Sequence, residues 1–144
     1  IASELNGKIK TDRLVERSKY TPRLFGDSAE GEYTYVHAHG WAYRQGLLTD
    51  IWFDVQWSAT TASGKMRITL PYKAARADEM PFVGAVQTST FSYTAGAFIT
   101  AIAEQNSYHA DFWCSGSGIS ATRQDVESEG RVIGHIRYIG ARDE

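Results

Sequence analysis

Strict two-residue alternation runs through the middle of this chain, and it decides the fold class before anything else does. In Asp50–Trp57 the residues Ile51, Phe53, Val55 and Trp57 point one way, while Asp50, Trp52, Asp54 and Gln56 point the other. That period matches a strand with one buried and one solvated face, and no helix can sort those side chains so cleanly. Ser58–Gly64 reads as a glycine-terminated loop. Met66, Ile68 and Leu70 then return inward with Lys65, Arg67 and Thr69 outward, so the spacing predicts a β-hairpin closed by Pro71, which lacks a ladder donor.

Upstream, the odd positions Tyr33, Tyr35, His37, His39, Trp41 and Tyr43 form a row expected to share one face of a long strand. The small residues Ala38, Gly40 and Ala42 lie opposite. Further strands are expected near 82–90, 98–103, 108–114 and 131–139, with the helical spacing of Phe98, Ile99 and Ile102 leaving 95–106 open between strand and helix. Lys73–Met80 has no period and reads as a loop or a single helical turn. Gly116, Gly118 and the Asp125–Gly130 run read as turns. Seven or eight short strands without a long helix point to an all-β fold, an antiparallel β-sandwich or jelly roll. Thirteen glycines and only three prolines suit its many tight turns.

Residues 1–28 differ from the rest of the chain. They are polar, with Leu5, Ile9, Leu14 and Val15 as sparse apolar points, too few for a core of their own. This segment is expected to be an extended connector, and 29–144 the head domain.

Tyr43-Arg-Gln-Gly46, the alternating strand ending at Trp57, and Gly64–Tyr72 with its Ile-Thr-Leu-Pro-Tyr run together resemble the C-terminal domains of bacteriophage tail fibres and tailspikes. Gly134–Tyr138 fits the same pattern more loosely. The resemblance covers about thirty residues, and its motifs are structural. It implies a homotrimeric head at the tip of a virion, made in the host bacterial cytoplasm. That head would attach the particle to host cell-surface polysaccharide or lipopolysaccharide. The connector would be the place where three chains wrap and share apolar points.

Composition narrows the alternatives. A net charge of −2 with no basic run gives no footprint for a phosphate backbone, so nucleic acid is not an expected partner. No run approaches the roughly 18 apolar residues of a membrane span, so membrane insertion is not expected. Cys114 is the lone cysteine and excludes an intrachain disulfide; beside Phe112 and Trp113 it reads as a small buried group. The chain begins at Ile1, which is read as a piece of something longer.

Several chemical constellations can be tested on spacing alone. Asp50 and Asp54 share a face but stand about 13 Å apart along a strand, beyond the roughly 5–9.5 Å of a glycosidase pair. The Gly-x-Ser-x-Gly elbow around Ser117 fails because position 115 is serine, and Gly116, Gly118 and Ala121 lack the βαβ context of a dinucleotide fingerprint. His37 and His39 are two apart and point the same way on a strand, which makes them the metal candidates, although one chain supplies no further ligand at a recognised zinc spacing. No cofactor is expected.

Aromatic excess is the remaining signal: four Trp, eight Tyr and six Phe exceed what one core needs. Trp52 shares its face with Asp50, Asp54 and Gln56, and flat rings flanked by carboxylates and amides suit the apolar faces and hydroxyls of sugars. Trp41, Tyr43, Tyr108 and Trp113 are the further candidates for a glycan platform. The same composition also suits an intersubunit interface. The expectation is a non-catalytic binding and trimerisation domain. The alternative is a polysaccharide depolymerase or esterase with its site between subunits.

Overall fold

The computed structural model describes residues 16–76, 81–90 and 97–141. Among them every regular element is a β-strand, and every pairing is antiparallel.

The alternating segment forms β4 (Leu48–Thr60), with Ile51, Phe53, Val55 and Trp57 buried and the Asp50, Trp52, Asp54, Gln56 row on the outer face. Its hairpin partner is β3 (Tyr33–Gln45), reached through a tight turn in which Gly46 takes a positive φ of 61°. The other edge of β4 is taken by β10 (Gly130–Ile139), in register from Gly130 opposite Trp57 to Ile139 opposite Leu48. Both edges of β4 are therefore occupied, and the expected hairpin between β4 and β5 (Met66–Thr69) does not form. Met66 and Ile68 are buried as their alternation requires, but β5 crosses to pair with β8 (His109–Gly116) and with β2 (Leu24–Gly26). Hydrophobic period specifies which face a strand buries and is silent about its neighbour.

The remaining strands are β1 (Glu16–Tyr20), β6 (Phe82–Ser89), β7 (Phe98–Ala103) and β9 (Ile119–Arg123). The hydrogen-bonded order is β1-β3-β4-β10-β6-β7-β8-β5-β2, with β9 also on β8. Phe53 on β4 meets Phe112 on β8 edge-on, ring centroids 6.3 Å apart, although three strands separate β4 from β8 in that order. Only a strongly curled sheet brings them together. β1 and β2 stand at opposite ends of the order yet are consecutive in the chain, joined by Thr21–Arg23. So short a link spans at most about 14 Å, and the edges of the half-barrel nearly meet. At this seam Leu24 N donates to the Tyr35 hydroxyl at 2.8 Å.

The antiparallel all-β expectation thus holds, with a correction of layout. The described strands lie along one curled path instead of the two separate sheets of a jelly roll, and its facing walls enclose the core as sandwich layers would. Ile51, Trp57, Met66, Ile68, Phe112, Val132, Ile136 and Tyr138 lie in that core. Each such aliphatic or aromatic side chain contributes about 1.5–3 kcal/mol by leaving water. Gly134 is required there: a Cβ would stand 2.4 Å from Phe53 Cζ.

Two further expectations change. The row Tyr33–Tyr43 does not share one face, because register shifts flank Tyr35. Tyr33 and Tyr35 turn inward, Tyr33 packing edge-on against Trp57, while His37 pairs across with the outward Gln56. Val36, at this irregularity, is left exposed. The connector boundary expected at residue 28 also falls inside the sheet, since β1 covers the Gly40–Arg44 edge of β3 and Leu24 of β2 enters the core. Leu5, Ile9, Leu14 and Val15 lie outside the described residues, as do 77–80 of the expected loop and 91–96.

Candidate functional site

Register sets out the outer face of β3, β4 and β10 as four cross-strand rows. These are Tyr43–Asp50–Arg137, Trp41–Trp52–His135, His39–Asp54–Ile133 and His37–Gln56–Arg131. Six of the eight glycan candidates therefore lie on one surface: Trp41, Tyr43, Asp50, Trp52, Asp54 and Gln56. The other two do not join them. Trp113 sits on β8, three strands beyond β10, and Tyr108 is exposed in the turn before β8.

Charge pairing locks this surface. Asp54 accepts from Arg131 Nε and Nη2 at 2.9 and 2.7 Å, and His37 Nε2 lies 2.8 Å from the same carboxylate. Arg131 above all, then His37, holds the Asp54 carboxyl down to about 2 against the opposing effect of partial burial. Asp50 is engaged in the same way by Arg137 Nε and Nη2 at 2.9 and 3.2 Å, with His135 Nε2 at 2.9 Å. Partial burial pushes the Asp50 carboxyl up, but these partners outweigh it and leave it below its ordinary value. Both groups are anions at neutral pH.

The aromatic rings are equally constrained. Trp52 stacks on His135 with centroids 4.4 Å apart and meets Tyr43 edge-on at 5.0 Å. Arg17 and Lys19 of β1 lie over Trp41 at 5.1 and 5.3 Å. Where the Trp41–Trp52 row meets the His39–Asp54–Ile133 row is an apolar hollow of about 160 Å³, lined by His39, Trp41, Trp52, Phe53, Asp54, Ile133 and Gly134. It is smaller than a drug-sized site of roughly 300 Å³ and suits a single ring.

His37 and His39 do stack as neighbours, rings 5.2 Å apart and 13° from parallel, but His37 is already engaged by Asp54. Among the described residues the convergence of three possible metal donors is elsewhere, at Glu104, His109 and Asp111. Cys114 is buried, its thiol donates to Gln124 Oε1 at 2.9 Å, and burial pushes its pKa up, so it is no nucleophile.

Sequence reasoning did not find Arg131, His135 and Arg137 as members of this surface. The alternation of β10 is legible, but nothing in it says that β10 lies against β4. A second concavity was also missed, a cleft of about 430 Å³ at the seam between β2 and the start of β3, lined by residues including Arg23, Phe25, Glu32, Tyr33 and Tyr35.

No protein-family model matches this chain, and no curated protein sequence does. Among solved structures, the crystal structure of Dettilon tailspike protein superposes on 88% of the chain with a TM-score of 0.66 at 15% identity. The chain has the fold of a tailspike segment. It spans 24% of that tailspike's length.

Proposed function

We propose that this chain is a host-attachment domain of a phage tail fibre or tailspike. In this reading it is a C-terminal homotrimeric head at the virion tip that binds a bacterial surface polysaccharide or lipopolysaccharide through the outer face of β3, β4 and β10. The observation that carries the reading is the apolar hollow lined by Trp41 and Trp52 together with His39 and Asp54. An indole face takes the C–H face of a sugar ring, and fixed carboxylates and guanidiniums take its hydroxyls. Because ion pairs already hold these groups, little side-chain freedom is lost on binding. The shared fold with a tailspike segment supports the attachment role. A one-ring hollow binds weakly by itself, and three copies on a rigid trimer, repeated over several fibres, give firm attachment through avidity.

Binding without turnover is the better reading of this face. Glycosidic cleavage by a carboxyl pair needs one member protonated to assist the leaving group. Asp50 and Asp54 are both held ionised, which suits hydroxyl recognition and disfavours proton donation.

Light scattering of the 144-residue chain, followed by binding to a panel of bacterial surface polysaccharides, tests the proposal. The expected result is a mass near three chains and saturable binding that leaves polymer length unchanged. A monomer at micromolar concentration would remove the trimer. Progressive shortening of the polymer would replace attachment by depolymerisation.

A further inference from the structure

The β7–β8 hairpin carries a group of side chains that the attachment surface does not use. Glu104 N donates to His109 O at 3.0 Å, and Ser107 Oγ donates to Glu104 O at 2.9 Å, so the turn is closed and its backbone fixed. Ala103 pairs with Ala110, which sets Glu104 across from His109, and Asp111 follows two residues later on the same face. One donor atom from each of Glu104, His109 and Asp111 lies within 4.8 Å of the other two.

From this convergence we infer a divalent transition-metal site formed by Glu104, His109 and Asp111, with the remaining coordination positions open to water. His109 Nε2 is buried and makes no hydrogen bond, and the charged group it faces is Asp111 Oδ1 at 4.0 Å, a member of the same cluster. Phe25 packs edge-on against its ring, centroids 5.9 Å apart, and limits its rotation. Asp111 is held from behind: Arg67 Nε donates to its Oδ1 at 3.0 Å, and Arg123 lies 3.9 Å from that oxygen while pairing with Asp27 at 3.1 Å. Such outer partners orient a ligating carboxylate. Glu104, Asp111 and Asp27 against Arg67 and Arg123 leave one net negative charge, which a cation offsets.

Bonds of about 2.1 Å to a four-coordinate ion place donors about 3.4 Å apart, so the three groups must contract slightly. The Glu104 side chain is exposed and already interacts with the Asp111 carboxyl, so it is the member placed to supply that movement. One imidazole with two carboxylates and no thiolate suits Zn²⁺ or Co²⁺ better than Mg²⁺ or Ca²⁺. The occupied site would tie the turn of β7–β8 to the residues that flank the seam, through Phe25 and Arg67.

The test is calorimetric titration of the chelator-treated full chain with ZnCl2, with CoCl2 for visible spectra and MgCl2 as control. Thermal unfolding is followed in parallel. Wild type should bind one Zn²⁺ per chain, show Co²⁺ ligand-field bands and unfold at higher temperature with Zn²⁺. Both Glu104→Gln, at an exposed position that tolerates the change, and His109→Ala should weaken binding at least tenfold and abolish the thermal response. No saturable binding by wild type overturns the site. Wild-type affinity retained in both variants also overturns it, and would move any metal elsewhere, such as His37 and His39.

Discussion

The outer face of β3–β4–β10 and the outer face of β5–β8–β9 belong to one sheet, yet they treat their carboxylates in opposite ways. On the first, the Asp54 side chain keeps 30% of its surface in water while Arg131 and His37 engage it. On the second, the Asp111 side chain keeps only 5%, enclosed by Arg67 and Arg123, with His109 Nε2 buried 4.0 Å away and making no hydrogen bond. Exposed ion pairs contribute little to stability and fix side chains for recognition. A buried carboxylate between guanidiniums is structural, because its removal strands the opposite charges. One surface is built to present groups, and the other to hold the end of the half-barrel.

Removing the two carboxylates should therefore have very different costs. Asp111→Ala is expected to lose about 3–5 kcal/mol, and Asp54→Ala at most about 1 kcal/mol, by urea unfolding. Equal losses would erase the distinction between the faces. Between the walls, Gly134→Ala should cost about 1–3 kcal/mol, since the added methyl meets the Phe53 ring. An unchanged urea midpoint would mean that the walls are looser than their packing indicates.

How far this division was legible in the sequence depends on what alternation encodes. The inward and outward rows of β4 were readable residue by residue, because period two assigns faces. The neighbours of β4 were not readable, because Met66–Leu70 and Arg131–Tyr138 alternate equally well and only the topology puts the second beside β4. For the same reason Asp50, Trp52, Asp54 and Gln56 could be named as one face while Arg131, His135 and Arg137 could not be added to it. Trp113 and Tyr108 were grouped with that face on chemistry alone, and chain distance says nothing of spatial distance in a curled sheet. The Tyr33–Tyr43 row fails around Tyr35, where two register irregularities turn Tyr33 and Tyr35 inward without any glycine or proline to mark them.

The smallest expected effect concerns pH. Asp54 is held below its ordinary 3.8 by Arg131 and His37, so its pairing stabilises the fold fully above that value. The stability is lost as pH falls from about 3.8 to about 2, and Asp50 acts in the same direction. Asp54→Asn should flatten that part of the acid-unfolding curve slightly. An identical acid limb in the variant would show that the carboxylate is not held by its partners in solution.

The most direct test of the attachment surface uses the four tryptophans, each of which has one indole N–H resonance. Trp41 and Trp52 line the proposed hollow, Trp57 is buried with its Nε1 donating to Glu127 O, and Trp113 marks the other face. On titration with a surface polysaccharide that the chain binds, the Trp41 and Trp52 signals should shift together and saturate, with Trp57 and Trp113 unmoved. Saturable binding with shifts at Trp113, or at neither Trp41 nor Trp52, would contradict the account and direct attention to the β2–β3 seam or to β8.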